Sequence, residues 1–144
     1  MWAFSAFIGI NISMLESLEK IQNTVKDFTT SDQFNNWLME VGKVASGPEL
    51  RSICKDENHV RGCTTNVWLS GNKIKDKWYF GFYSNTRFTS GVVSLVCEGC
   101  NGLTSEQVNQ ISFTDFDWLS KNLSLNKKKG LQAMLNHIKD IANA

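Results

Sequence analysis

One stretch of the chain gathers residues able to do sulfur chemistry. Cys63 stands inside Val60-Arg61-Gly62-Cys63-Thr64-Thr65-Asn66-Val67-Trp68-Leu69, with His59 immediately upstream. If His59–Cys63 is extended, alternation sets His59, Arg61 and Cys63 on one side of the backbone. Two potential cations beside the sulfur would favour its thiolate, the form that attacks or accepts sulfur. Gly62 frees the backbone to turn sharply, so the thiol can be held at a loop tip. Thr64 and Thr65 supply hydroxyls beside it, and Val67-Trp68-Leu69 is apolar enough to anchor the loop to a core. The pattern reads as a presented thiol on a rigid base. A buried structural cysteine at a strand end is the alternative that these residue types leave open.

The other reactive residues offer weaker chemistry. Cys54, Cys63, Cys97 and Cys100 are all the cysteines present. Cys54 and Cys63 are too far apart for a zinc-knuckle pair, and Cys97-Glu98-Gly99-Cys100 falls in an apolar helical segment, so packing outweighs zinc binding. The same Cys-x-x-Cys closes a helix and does not open one after a strand, which argues against dithiol redox chemistry. A cysteine hydrolase would take Cys63 as nucleophile and His59 or His137 as base, but a chain this short has few residues left for an orienting acid and an oxyanion site. Cys54 is at most a second thiol near Cys63 in sequence.

These residues need a frame. Met14, Leu18, Ile21, Val25 and Phe28 recur at helical spacing. Thr30-Ser31-Asp32-Gln33 is a capping box, and Phe34, Trp37, Leu38, Val41, Val44 and Ala45 line one face of the helix it starts. Gly47-Pro48 ends that helix, and a polar loop runs on to Asn58. Asn66–Ser70 and Lys77–Ser84 read as strands joined through the turn signal Ser70-Gly71-Asn72, with Gly71–Lys77 as an exposed hairpin end. Trp78, Phe80 and Phe82 share one strand face. Arg87–Cys100 is apolar nearly all round, as a buried helix is. Thr104-Ser105-Glu106-Gln107 caps a short helix to about Ile111, and Phe113, Phe116, Trp118 and Leu119 form an aromatic patch. Ser124 caps a last helix with a face of Leu131, Met134, Leu135, Ile138 and Ile141, its His137 on the polar side. Helices, a small antiparallel sheet, then more helices predict an α+β domain.

The whole chain sets bounds. Its 144 residues are 42% hydrophobic and 20% charged, enough for one domain with a core. A net charge of +1 gives no electrostatic case for nucleic acid or a membrane surface. The run Lys127–Lys129 reads as a solvated helix start. Four cysteines without a disulfide-framework pattern fit a reducing compartment, expected to be the cytoplasm, with a plastid-type organelle as the alternative. Residues 1–13 form an apolar extension, too short to span a bilayer and without the basic start of a secretory signal. Residues 14–144 make up the single domain.

The motif also carries a resemblance. Asn58, Val60, Gly62, Cys63, Thr65, Val67 and Trp68 match Asn-x-Val followed by Gly-Cys-x-Ser/Thr-x-Val-Trp, and this resembles the signature of the SufE family. Val41-Gly42, Ser84, Gly91-Val92, Leu103-Thr104-Ser105 and Gly130-Leu131-Gln132-Ala133-Met134 extend the likeness over about Met14 to Ile141. The resemblance implies a SufE/NifU-like α+β fold with a small antiparallel sheet packed against several helices. It implies a sulfur acceptor that takes persulfide sulfur from a cysteine desulfurase onto Cys63, stimulates that enzyme and passes sulfur to an iron–sulfur cluster scaffold. Such a protein is a sulfur-transfer partner rather than a stand-alone enzyme, acting as a monomer or weak dimer. It needs no cofactor of its own: the persulfide on Cys63 is transient, and pyridoxal phosphate belongs to the desulfurase. His59, Arg61, Gly62, Thr64, Thr65 and Lys127 are the expected supporting or partner-contact residues. A cluster scaffold or zinc-binding module of similar fold is the alternative.

Two departures stand out. Phe82-Tyr83-Ser84-Asn85 lacks the acidic pair common in that turn of the family. Lys127 stands where arginine is common ahead of Gly-Leu, and an ammonium cannot reproduce a bidentate guanidinium contact.

Overall fold

The computed structural model describes residues 22–45 and 52–144. Residues 1–13, Met14, Leu18, Ile21 and Gly47-Pro48 therefore lie outside the described residues. Residues 22–26 are helical, Val25 is buried, and Phe28 packs onto the core. Helix α1, Ser31–Ala45, begins as its sequence dictates. The Gln33 backbone N–H donates to Thr30 Oγ1 at 3.2 Å, and the Thr30 N–H donates back to Gln33 Oε1 at 3.2 Å. Two backbone donors that the first turn would leave orphaned are thereby satisfied. Phe34 and Leu38 are fully buried on the predicted face; the side chains of Val44 and Ala45 fall outside the description.

α1 packs along α2, Arg87–Cys100, whose start is capped by Thr86 accepting from the Thr89 N–H. The two backbones come very close. A methyl group on Gly42 would run into the Arg87 carbonyl, and one on Gly91 into the Leu38 carbonyl. Only residues without Cβ fit this crossing. Val92, Val93, Leu95, Val96, Cys97 and Cys100 are buried, so α2 is the buried helix expected from its composition.

Among the described residues the sheet is one antiparallel ribbon, β1 (Val67–Ile74) with β2 (Lys77–Ser84), in which Val67 faces Ser84 and Ile74 faces Lys77. Its turn corrects the sequence reading. Ser70-Gly71-Asn72 is not a turn: β1 runs through it, and the chain reverses at Lys75 and Asp76, with φ of 50° and 69°. Two consecutive positive φ values make the two-residue turn whose twist suits a hairpin. Gly71 serves another purpose, since a Cβ there would lie 2.5 Å from Ile141 Cγ2 and 3.2 Å from the Trp78 ring. Residues 71–77 are exposed, as expected.

β2 lies on α2, burying Phe80, while Trp78 stacks on Phe80 with 16° between ring planes. Helix α3, Ser105–Gln110, carries the capping box of Thr104 and Gln107. A 3-10 turn at Phe113–Phe116 and the short α4, Asp117–Ser120, bury Phe116, Trp118 and Leu119. Helix α5, Leu125–Ala142, starts at Ser124, sets Leu131, Met134, Leu135 and Ile138 in the core and packs on β1. The architecture is α+β, with an antiparallel ribbon packed against helices. Among the described residues no helix is long and apolar enough to cross a membrane.

Candidate functional site

The Cys63 loop is pinned at its base. Val60 donates its N–H to the Val67 carbonyl at 2.9 Å, and His59 bridges Trp68. Between these contacts the chain turns back at residues 61–62, where Gly62 holds φ +97°. That value is one an L side chain rarely adopts. A Cβ on Gly62 would also lie 3.2 Å from the Ala133 methyl, so the turn is seated on α5.

This turn corrects the expected alternation. His59–Cys63 is not one extended run, and reversal at Gly62 gives Arg61 and Cys63 different surroundings. Arg61 and His59 line a polar groove of about 600 Å³ with Asp56, Lys129, His137 and Asp140. His59 Nε2 lies 3.1 Å from Asn66 Oδ1, and its ring packs on Trp68 at 5.4 Å between centroids. Cys63 lines a smaller cavity of about 50 Å³, to which neither His59 nor Arg61 contributes.

Cys63 is half-buried, and its Sγ donates to the Gly130 carbonyl oxygen at 3.5 Å. Burial pushes its pKa up from the ordinary thiol value. The expected thiolate-favouring cations therefore do not act on the resting sulfur. A neutral thiol facing a carbonyl is a weak nucleophile, because ionisation would leave a negative sulfur against the negative end of a C=O dipole.

The remaining predicted residues divide similarly. Thr64 is exposed at the cavity edge. Thr65 Oγ1 lies 2.8 Å from Thr89 Oγ1, tying the loop to the first turn of α2. Lys127 extends its Nζ over the Phe88 ring, 3.5 Å from the centroid, and both residues line the Cys63 cavity. His137, the alternative base, has its Nε2 3.2 Å from the Leu69 carbonyl and lines the groove rather than the cavity. Phe88, Thr89 and Met134 belong to the cavity, and motif reading around Cys63 did not reach them. Met134 was legible as a core position of α5 and as the end of a family match, not as a cavity residue. Gly130 carried a signal in Gly130-Leu131, though as part of a family match and not as the sulfur's hydrogen-bond partner.

Cys97 and Cys100 are buried in α2, and burial drives both thiols up, Cys100 to about 12, with Asp115 adding to the rise and Lys139 opposing it. Cys54 is half-buried in the loop before the motif. Among the described residues no three His, Cys, Asp or Glu side chains gather to hold a metal.

The family model SufE, described as an Fe-S metabolism associated domain, matches residues 19–142. An uncharacterised SufE-like protein of Rhizobium meliloti (strain 1021) is 27% identical over 139 residues, covering 89% of this chain and 96% of its own. A second, from Rhizobium etli, is 28% identical over 139 residues, covering 89% of this chain and 90% of its own. The family match spans every element from α1 to α5 and includes the Cys63 loop. This chain therefore belongs to the SufE family, whose domain is associated with iron–sulfur metabolism.

Proposed function

We propose that the protein accepts sulfur on Cys63 from the persulfide of a cysteine desulfurase, stimulates that enzyme by removing its product sulfur, and hands the sulfur to a cluster scaffold. The observation that carries the reading is the sheltered thiol: Cys63, next to a positive-φ glycine, with its S–H on the Gly130 carbonyl and a small cavity beside it. A relay sulfur has to be held back between partners, because an exposed persulfide is oxidised or reduced away.

The chemistry is an exchange without net oxidation. Cys63 first leaves the Gly130 carbonyl and loses its proton to solvent or to a partner base. Its thiolate attacks the outer sulfur of the donor persulfide; a new S–S bond forms as the donor's S–S bond breaks, and the donor cysteine departs as a thiolate. The pyridoxal phosphate that made the donor persulfide belongs to the desulfurase, and this chain contributes the thiol, its shelter and its hinge. Gly62 supplies backbone freedom on one side of Cys63, while the Val60–Val67 contact fixes the loop's base, an arrangement suited to a short moving arm. The free thiol fits a reducing compartment, the cytoplasm or a plastid-type organelle.

The test is to incubate the protein with a cysteine desulfurase and cysteine, then read intact mass and map peptides. The native protein and the Cys54→Ser and Cys97→Ser variants are expected to gain one sulfur atom on Cys63, and Cys63→Ser none. Equal loss in Cys63→Ser and Cys97→Ser, both folded, would overturn the assignment. So would a native protein that gains no sulfur.

A further inference from the structure

Helix α5 begins against its own electrostatics. Lys127, Lys128 and Lys129 stand near its N-terminus, and no acidic residue lies in the first turn. The unpaired N–H groups there make that end of a helix positive, so carboxylates are favoured and ammonium groups are not. One of the three has a specific destination: Lys127 Nζ sits 3.5 Å from the Phe88 ring centroid, within cation–π range. Phe88 comes from the first turn of α2 and Lys127 from the start of α5, so the contact joins two helices across one wall of the Cys63 cavity.

The cavity has room for one more atom of water's size, such as a second sulfur. Loading changes what this space must hold. The resting S–H donates to Gly130 O; a persulfide on Cys63 has no proton on Sγ, so that hydrogen bond is lost. Its terminal sulfur is more acidic than a thiol and carries the negative charge. Thr64, Thr65, Thr89 and Asn126 are neutral, and Lys127 is the one charged side chain among the described residues lining the cavity.

We propose that Lys127 is the lid of this cavity, resting on Phe88 while Cys63 is a bare thiol and turning to pair with the terminal sulfur once a persulfide forms. Lys127 is thus a positioning residue that sets the lifetime and charge of the loaded state. The inference deepens the sulfur-acceptor reading and rests on it. An exposed cation–π contact is weak, and a charge pair in a partly dry cavity replaces it readily.

Inorganic polysulfide loads the protein without a desulfurase, which separates this inference from the choice of partner. The Cys63 thiolate attacks a sulfane sulfur; the S–S bond to the rest of the polysulfide breaks, and the shortened chain leaves as an anion. Uptake is confirmed by mass, and the loaded proteins are alkylated with a small reagent across pH. In Lys127→Ala the midpoint for persulfide alkylation is expected about half a unit to one unit higher than in native protein. Its persulfide should be lost to a phosphine reductant about 1.5-fold to fivefold faster, the range expected when one exposed charge pair is removed. Lys127→Arg should restore both readouts, Phe88→Leu should speed reaction of the unloaded thiol with a bulky reagent, and Lys75→Ala, at the hairpin turn, should change nothing. Identical midpoints and lifetimes in native and Lys127→Ala protein overturn the lid. So does failure of polysulfide to load Cys63, because the cavity then does not admit the second sulfur. If polysulfide loads Cys63 and Lys127→Ala shows these shifts, while no desulfurase delivers sulfur, the lid stands and the partner assignment falls.

Discussion

At Cys63 the sulfur keeps its proton for two reasons, half-burial and the Gly130 carbonyl facing it. Both penalise the anion, so alkylation of the free protein by a small reagent should be slower at neutral pH than that of an unstructured cysteine peptide, with its midpoint shifted to higher pH. Arg61→Ala should leave that midpoint where it is, because Arg61 lines the neighbouring groove and not the sulfur's cavity. A midpoint that rises in Arg61→Ala would mean that the guanidinium reaches the sulfur after all. Cys100 supplies a stability counterpart. Its thiol is pushed from 9.0 to about 12, chiefly by burial. Between those values the unfolded chain holds fewer protons than the folded one, so stability falls as pH rises. The contribution is complete below about pH 9 and gone once pH passes about 12. Denaturant midpoints for native and Cys100→Ala protein should therefore show a steeper alkaline decline in the native chain.

At the level of elements, glycines decide where backbones meet. Gly91→Ala would press a methyl into the Leu38 carbonyl and force α1 and α2 apart, at a cost of roughly 1–3 kcal/mol in denaturant unfolding. Gly62→Val adds strain at φ +97° and a contact with Ala133, so it should slow sulfur uptake far more than it lowers stability. Uptake at the native rate would mean that Cys63 works without loop movement. Thr104→Ala should cost about 1 kcal/mol, because its hydroxyl oxygen accepts from the Gln107 N–H in a complete capping box. Such devices are local and were legible in the sequence. Thr30, Thr104 and Ser124 announced their helices, and the run from Arg87 to Cys100 announced a buried one. The hairpin turn was missed because Lys75-Asp76 is an unusual pair for two positive φ values, while Ser70-Gly71-Asn72 looks like a turn and is shaped instead by Trp78 and Ile141. The thiol's surroundings were missed for a different reason. Alternation counts neighbours along one strand, whereas Phe88, Lys127 and Gly130 line the sulfur's cavity from helices 25 to 67 residues further on.

For the molecule as a whole, the α+β order of elements followed from their sequence order, but the meeting of loop, α2 and α5 around one sulfur did not. Among the described residues the ribbon has two strands, and part of each outer edge is covered. Val60 takes up the Val67 carbonyl on the outer side of β1. On the far side of β2, Trp78 exchanges backbone hydrogen bonds with residues 102 and 103, and the Phe80 N–H donates to Asn101 Oδ1 at 2.8 Å. The Asn101 side chain stands in for a third strand, occupying a donor that a neighbouring molecule's strand would otherwise satisfy. Asn101 is thus one guard of this edge, beside the Trp78 contacts. Asn101→Leu should keep the fold but release the Phe80 donor, and light scattering at high protein concentration should then detect β-rich association that the native chain resists.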